Sequence, residues 1–111
     1  MRQYNDGMQP LDVFLTELRP LLVRSRAKAA YLFGSHGRGE ADAHSDIDII
    51  VVAPTEREPV ERFRDYLPAI LAAGVGVDLF VYTPDEFDTL RRERRPFLVH
   101  ALENGRQVYE G

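Results

Sequence analysis

The sequence predicts an α/β fold in which a small sheet is flanked by helices. Two observations lead to this prediction. Apolar residues recur at the spacing of a helix face in several segments, and these segments alternate with short runs that are rich in β-branched residues, as strands are. The 111 residues suit a single domain, residues 1–111, and the 44% of them that are apolar suffice for one buried core.

The first two helices are predicted from apolar stripes, and each contains a proline. Residues 10–26 form the first helix, and Pro20 predicts a kink or a split in it. Residues 59–73 form the second, which ends before Gly74 and has Pro68 as a flaw. The face of this helix that is expected to pack on the sheet consists of Phe63, Tyr66 and Leu67.

The last two helices are predicted from their starts. Thr83 is the expected N-cap of the third helix, Pro84 its first residue, and Glu86 stands three positions after the cap. This helix should run to about residue 94, and a fourth should cover residues 96–104. The predicted strands are residues 29–33, 46–53 and 75–82, with residues 107–109 as a last strand at an edge of the sheet.

Composition and charge exclude several classes of function. The net charge of −4 would repel a nucleic-acid backbone, and no regular basic and aromatic pattern suggests direct nucleic-acid binding. The absence of cysteine excludes disulfides, thiolate metal sites and a cysteine nucleophile, and fits a reducing cytoplasm. Residues 1–10 lack the apolar core of a signal peptide, and residues 11–23 are too short and too charged to span a membrane. A soluble, cytoplasmic protein is expected.

Two aspartates stand where a buried strand should be apolar. Side chains alternate between the two faces of a strand, so Asp46 and Asp48 point to the same side at the start of the strand at residues 46–53. Like charges on neighbouring positions repel each other, and burial increases that repulsion. A divalent cation between them, above all magnesium, would remove the conflict because it prefers carboxylate oxygens.

A third aspartate repeats this anomaly in the next strand. Asp78 lies within residues 75–82, on the face opposite to its apolar neighbours. If the two strands are neighbours, Asp78 can meet Asp46 and Asp48 around two metal ions about 4 Å apart, the arrangement used for phosphoryl or nucleotidyl transfer. The alternative is that Asp46 caps a turn and Asp48 faces solvent on an edge strand.

A glycine-rich loop separates the first two strands. Gly34, Gly37 and Gly39 fall within six residues, directly after the strand at residues 29–33. Such a loop can aim backbone N–H groups at a phosphate, and the Ser35 hydroxyl and the Arg38 guanidinium can add contacts. The loop lacks the Gly-Lys-Ser/Thr ending of a P-loop and the complete Gly-x-Gly-x-x-Gly fingerprint.

The spacing of the Gly34-Ser35 pair from the acids resembles that of the DNA polymerase beta nucleotidyltransferase superfamily. The matching stretches are residues 32–39 (LFGSHGRG), residues 45–51 (SDIDIIV) and residues 77–81 (VDLFV), with weaker support from residues 103–110. The chain looks most like the minimal nucleotidyltransferases, which are the MntA-type antitoxins of HEPN/MNT toxin–antitoxin pairs. The resemblance covers most of the chain from residue 27 onward, and it implies a small mixed sheet of the polymerase beta-like fold.

The resemblance also implies a role for each matching residue. Gly34 and Ser35 would hold the β- and γ-phosphates of ATP, whereas Asp46 and Asp48 would bind magnesium. Asp78 would complete a site for two ions and help to activate the attacking hydroxyl. The remaining positions that match family positions near the nucleotide are Arg38 and Ser45.

The function implied is transfer of AMP from ATP to a hydroxyl, expected to be that of a tyrosine, on a partner HEPN toxin. Only 33 residues follow Asp78, so a partner or a second copy is expected to complete the acceptor site. Two alternatives stay open: an antitoxin that acts by binding alone, and a dimeric transferase that modifies a small molecule, as aminoglycoside nucleotidyltransferases do. The oligomeric state also stays open.

Other conspicuous residues fit a structural role better. His36, His44 and His100 lack the spacing of helical metal ligands, although the first two should lie near the site. The basic residues 91–95 suit the C-terminal end of a helix, or alternatively a patch for an acidic partner. A dehalogenase-type Asp-x-Asp needs an apolar strand before it, and a glycosyltransferase Asp-x-Asp would not need Gly34-Ser35.

Overall fold

The structure is a computed structural model that describes residues 8–111. The helices are α1 Pro10–Arg24, α2 Gly34–Arg38, α3 Leu67–Ala72, α4 Pro84–Arg92 and α5 Pro96–Glu103, with a 3-10 helix at Pro59–Tyr66 before α3. The strands are β1 Ala29–Phe33, β2 Ile47–Val52, β3 Val77–Tyr82 and β4 Arg106–Glu110. The prediction that residues 1–10 contain no signal peptide falls largely outside the described residues.

The four strands form one mixed sheet in the order β3-β2-β1-β4. β1 runs antiparallel to β2 and to β4, whereas β2 and β3 run parallel. Parallel neighbours need a crossover, and the 3-10 helix and α3 provide it. The predicted α/β fold with a small mixed sheet is therefore confirmed, and the predicted last strand does lie at an edge.

The two faces of the sheet are covered by different helices. On one face α1, the 3-10 helix and α3 enclose the larger core with alternate β2 residues, and its fully buried side chains include Phe14, Leu18, Leu32, Ile47, Ile49 and Val51. On the other face α4 and α5 cover a smaller core that contains Ile50, Val52, Phe87, Leu98 and Ala101. This division matches the predicted alternation of β2, because odd-numbered residues face the larger core.

The prolines act differently from the prediction. The helix α1 continues through Pro20 to Arg24, without the predicted split. The segment at residues 59–73 is not one α-helix, because its first eight residues form a 3-10 helix and α3 starts at Leu67. Pro68 lies in the first turn of α3, where the missing N–H group costs nothing.

The predicted packing face of residues 59–73 is partly wrong. Tyr66 is buried and its hydroxyl donates a hydrogen bond to Ser25 Oγ at 2.9 Å, but Phe63 and Leu67 are exposed. The change from 3-10 to α geometry rotates the residues that follow, so a single helical wheel does not describe the segment. Burial raises the pKa of the Tyr66 hydroxyl.

The predicted start of α4 is confirmed in full. Thr83 Oγ1 accepts a hydrogen bond from the Glu86 N–H at 3.2 Å, and the Glu86 carboxylate accepts one from the Thr83 N–H at 2.8 Å. Glu86 also pairs with the buried Arg62, which donates to the Val81 carbonyl at 3.0 Å. The Arg62 guanidinium, followed by the bond from the Thr83 backbone, holds the pKa of Glu86 below its usual value despite the opposing effect of burial. Arg62 thus joins the 3-10 helix both to the end of β3 and to the start of α4.

No helix within residues 8–111 is long and apolar enough to cross a membrane.

Candidate active site

Two of the predicted acids face each other at the start of the parallel strand pair. Asp48 is in register with Asp78, and both side chains lie on the face that α4 and α5 cover farther along the strands. Phe33, the last residue of β1, pairs with Asp48 on its other side. One row across the sheet therefore consists of Phe33, Asp48 and Asp78. The condition for Asp78 to meet the other acids, that the two acid-bearing strands are neighbours, is fulfilled.

Burial and the neighbouring acids raise the pKa of the Asp48 carboxyl. Burial raises its pKa, and hydrogen bonding with Asp78 raises it further. The negative charges of Asp78 and Asp46 act in the same direction, whereas a charge on His36 opposes them. Crowded carboxylates whose repulsion favours protonation are the environment that a divalent cation stabilises in the ionised form.

Asp46 is placed just before β2 rather than within it. Its carboxylate lies over Gly76, where an added Cβ would be 2.7 Å from Asp46 Oδ1. The Ile47 N–H donates to the Gly76 carbonyl at 2.9 Å and so continues the strand pairing to this point. Gly76 thus leaves room for the Asp46 carboxylate beside β3, a requirement that is not apparent from the sequence.

The glycine loop begins as a helix directly against the acids. The predicted turn is the short helix α2, which follows β1 directly. No side chain within residues 8–111 caps the start of α2. Gly34 has a φ of +62°, and a Cβ at this position would overlap the Asp48 carboxylate. A side chain would therefore separate the loop from the acid, so Gly34 is required both for its backbone conformation and for this close approach.

Gly37 fixes the other end of α2. An added Cβ there would lie 2.9 Å from the Leu32 carbonyl oxygen and 3.0 Å from the Asn104 carbonyl oxygen. The end of α5 and the turn at Gly105 thus pack tightly against α2. The segment at residues 103–110, which gave weaker support to the family resemblance, therefore supports the glycine loop through this contact.

Two of the residues predicted to bind nucleotide have other partners. Arg38 is exposed and pairs with Glu40 at 3.1 Å. The Ser45 hydroxyl donates to Asp42 Oδ1 at 3.1 Å and accepts from the Asp42 N–H at 3.0 Å. The structure therefore brings Gly34, Asp48 and Asp78 together with Asp46 close by, but places Arg38 and Ser45 in contacts within the neighbouring loop. Their nucleotide contacts stay predictions.

An aromatic cluster beside the acids is missing from the sequence prediction. The rings of Phe33, Phe80 and Phe97 contact one another, with centroid distances of 5.3–6.0 Å. Phe80 is the next residue after Asp78 on the same face of β3. The alternation of β3 together with the register of Phe33 would have indicated this cluster, but the contribution of α5 depends on the tertiary packing.

The acids of the site fit magnesium in their chemistry, although they are not preassembled. Within residues 8–111, no group of three or more His, Asp or Glu side chains has an arrangement ready to hold a metal ion. The paired Asp48 and Asp78 supply hard oxygen ligands, and the space that Gly34 and Gly76 leave free keeps the backbone close to them. Asp48, Asp78 and Asp46 are the residues that would hold such a cation, which would supply positive charge among the carboxylates.

Comparisons with known proteins identify the family of this chain. A family model described as a nucleotidyltransferase domain matches residues 14–95, a span that includes Gly34 and all three acids. The protein named "Putative protein adenylyltransferase MJ0604", from Methanocaldococcus jannaschii, is 33% identical over 86 residues, which cover 78% of this chain and 82% of that protein.

Two solved structures share the fold. A toxin–antitoxin with AMP-PNP superimposes with a TM-score of 0.60 at 24% identity, over 86% of this chain and 73% of that chain. A mutant of the toxin–antitoxin MntA-HpeT gives a TM-score of 0.59 at 24% identity, over 98% of this chain and 75% of that chain. The predicted nucleotidyltransferase fold is thereby confirmed.

Proposed function

This chain belongs to the nucleotidyltransferase domain family, and we propose that it moves AMP from ATP to a tyrosine hydroxyl of a partner HEPN-type toxin in the cytoplasm, and so neutralises the toxin. The observation that carries the proposal is the approach of the Gly34 backbone to the Asp48 carboxylate beside Asp78. It brings a loop suited to phosphate and acids suited to a metal within reach of one triphosphate. The likeness to toxin–antitoxin structures and to a protein named as an adenylyltransferase supports the choice of partner and nucleotide.

Each residue of the site has a proposed role. Asp46, Asp48 and Asp78 hold magnesium, two ions in all, which supplies positive charge to the α-phosphate when bound. The N–H groups at the start of α2 and the Ser35 hydroxyl bind the β- and γ-phosphates. Arg38 and Ser45 join the nucleotide site by exchanging their contacts with Glu40 and Asp42 for contacts with ATP.

The proposed transfer is a single displacement at the α-phosphorus of ATP. The acceptor hydroxyl oxygen forms a bond to the α-phosphorus while the bond from that phosphorus to the bridging oxygen of pyrophosphate breaks. The hydroxyl proton passes to the Asp78 carboxylate, which is exposed and can be reached by an acceptor. The products are an AMP–acceptor phosphodiester and pyrophosphate. The surroundings of Asp48 raise its pKa and so favour the protonated form, and a cation beside it would favour the ionised form.

The test is transfer of AMP to a HEPN-type toxin. The two purified proteins are incubated with ATP and magnesium, and mass spectrometry should find the toxin heavier by one AMP moiety. Asp46→Asn should slow this transfer about a thousandfold, equivalent to about 4 kcal/mol of barrier, because it removes a ligand of the metal. Asp88→Asn is the matched control, since Asp88 lies on the surface of α4 in an ion pair with Arg92. A toxin of unchanged mass would contradict the proposal.

A function by binding alone is favoured by one observation, namely that residues 91–95, four of which are arginines, are exposed at and just after the end of α4, where they offer a surface to an acidic partner. The variant Asp46→Asn, Asp48→Asn separates the two functions. If this double variant binds the toxin but no longer protects cells, the enzyme is supported. Continued protection would favour neutralisation by binding. If the chain is instead a dimeric transferase for a small molecule, an aminoglycoside should gain AMP when it replaces the toxin in the mass spectrometry assay.

A further inference from the structure

The aromatic cluster of Phe33, Phe80 and Phe97 lies along one side of the open site that contains the acids. On the face covered by α4 and α5, one row of side chains across the sheet is Phe33, Asp48, Asp78, and the next is Tyr31, Ile50, Phe80. Phe33 and Phe80 lie on strands separated by β2, yet their ring centroids are only 6.0 Å apart. The two rings therefore lean toward each other over β2, between the acids and the apolar rows.

Phe97 completes this cluster from above the sheet. It stands near the start of α5, and its ring meets Phe33 edge-on at 5.6 Å and Phe80 at 5.3 Å. Beyond it α5 buries Leu98 and Ala101 against Ile50 and Val52. The cover that α5 provides thus ends at Phe97, and the row that contains the acids is open.

Two of these rings are left partly uncovered by the fold. Phe80 is 40% exposed and Phe97 is 46% exposed, whereas Phe33 is partly buried and packs against the smaller core. An exposed aromatic surface contributes little to folding, because only the area removed from water does so. Rings of this kind attract a further aromatic ring that stacks on them.

We propose that Phe80 and Phe97, seated on Phe33, form the acceptor subsite and select an aromatic hydroxyl over an aliphatic one. This inference rests on the proposed function and names the residues that choose its acceptor. A phenol ring stacked on these two side chains extends along β3 toward Asp78, which lies two residues before Phe80 on the same face. The hydroxyl then reaches the acid that accepts its proton.

The surroundings favour an acceptor ring over the nucleobase of ATP. All three side chains of the cluster are hydrocarbon, so they offer no hydrogen bond that would read the edge of a base. Phe80 is on the edge strand β3, on the side of Asp78, whereas the phosphate-binding start of α2 follows β1 on the other side of β2. The negative charges of Asp48 and Asp78 also favour a neutral acceptor over an anionic one.

The first experiment measures binding without catalysis. N-acetyl-tyrosinamide and N-acetyl-serinamide are titrated into the protein while its amide signals are followed by NMR. We expect the tyrosine compound to shift signals around Phe80, Phe97 and Asp78, and the serine compound to leave them unchanged. Phe80→Leu and Phe97→Leu keep the apolar volume but remove a ring, and each should weaken binding about two- to tenfold. Phe63→Leu is the matched control, because Phe63 is 41% exposed on the 3-10 helix.

The second experiment measures transfer to a tyrosine peptide and to the same peptide with serine. In Phe80→Leu and Phe97→Leu, the KM for the tyrosine peptide should rise about two- to tenfold, while the Kd for ATP and the rate with serine stay unchanged. Weaker ATP binding with an unchanged acceptor KM would overturn the inference in favour of a base-stacking role. Unchanged values throughout, or no binding of N-acetyl-tyrosinamide to the unsubstituted protein, would overturn it as well.

The outcomes also separate the inference from the proposed function. If the unsubstituted protein binds N-acetyl-tyrosinamide through these rings but transfers no AMP to any acceptor, the subsite stands and the proposed reaction fails. If it modifies the tyrosine peptide and the leucine variants do so equally well, the reaction stands and the subsite fails. Unfolding temperatures of all variants identify any loss that comes from the fold.

Discussion

The two faces of β2 put opposite demands on its side chains. The face toward α1 and α3 carries Ile47, Ile49 and Val51, all without solvent exposure. The other face is also buried at Ile50 and Val52. It starts, however, with Asp48, in the open row that Asp48 shares with Asp78. The strand β2 therefore packs into the core along one face and places the carboxylate of Asp48 at the start of its other face. Substitutions on the two faces should consequently change different quantities.

The largest effect of a substitution on folding is expected on the core face. Ile49→Ala should lower the free energy of unfolding by about 2–5 kcal/mol, because it removes a fully buried side chain and leaves a cavity. Urea denaturation measures this change, and Leu71→Ala on the exposed surface of α3 is the control, with less than about 0.5 kcal/mol expected. Equal effects of the two variants would remove the contrast between core and surface.

An intermediate effect is expected where the loop meets the acid. Gly34→Ala and Gly39→Ala both place a side chain at a positive φ, +62° and +75°. Only the first would overlap Asp48, since the Cβ position at Gly39 has no atom within 4 Å. Gly34→Ala should therefore be less stable than Gly39→Ala by about 1–3 kcal/mol, the usual cost of overpacking.

The two glycine variants should also differ in activity. Transfer to the toxin should fall steeply in Gly34→Ala, because Asp48 is displaced from the loop, and should persist in Gly39→Ala. Thermal unfolding and mass spectrometry on the same samples measure both quantities. Variants with the same stability and the same activity would show that the approach of Gly34 to Asp48 has no consequence.

The smallest effect concerns the charge on Asp48, and its sign depends on pH. The pKa of Asp48 is raised in the folded state, so the folded protein binds more protons than the unfolded chain between the two pKa values. Stability should then fall as the pH rises from the ordinary pKa of aspartate through the raised one. Asp48→Asn removes this cost and should stabilise the protein at neutral pH, in a chelating buffer, by less than about 1 kcal/mol because the site is open to water.

Asp42 provides the contrast of opposite sign. The His44 N–H and then the Ser45 hydroxyl lower the pKa of the Asp42 carboxyl, so its ionised form favours the folded state. The contribution of Asp42 is present above the unfolded pKa and is lost as the pH falls through the folded one. Urea denaturation from acid to neutral pH should show Asp42→Asn destabilising and Asp48→Asn stabilising at the neutral end. Shifts of the same sign would contradict the electrostatic difference between the loop and the site.

Local signals predicted those parts of the fold that depend on near neighbours in the chain. The capping box of Thr83 and Glu86 is correct because it needs only four consecutive residues. The shared face of Asp48 and Asp78 is correct because alternation along a strand is a property of the backbone. Phe63 and Leu67 were placed wrongly because the pitch of the segment changes at Leu67, and a pattern read at one period does not contain that change.

Chain spacing and strand alternation are enough to define the reactive residues: a glycine loop after one strand and an aspartate on the same face of each of two others. The distances between these residues depend on the tertiary structure. The contact of Gly34 with Asp48, the position of Asp46 over Gly76 and the cluster of Phe33, Phe80 and Phe97 all join residues on different elements. Such contacts depend on strand order and helix docking, which minimise exposed apolar area over the whole chain rather than within any one segment.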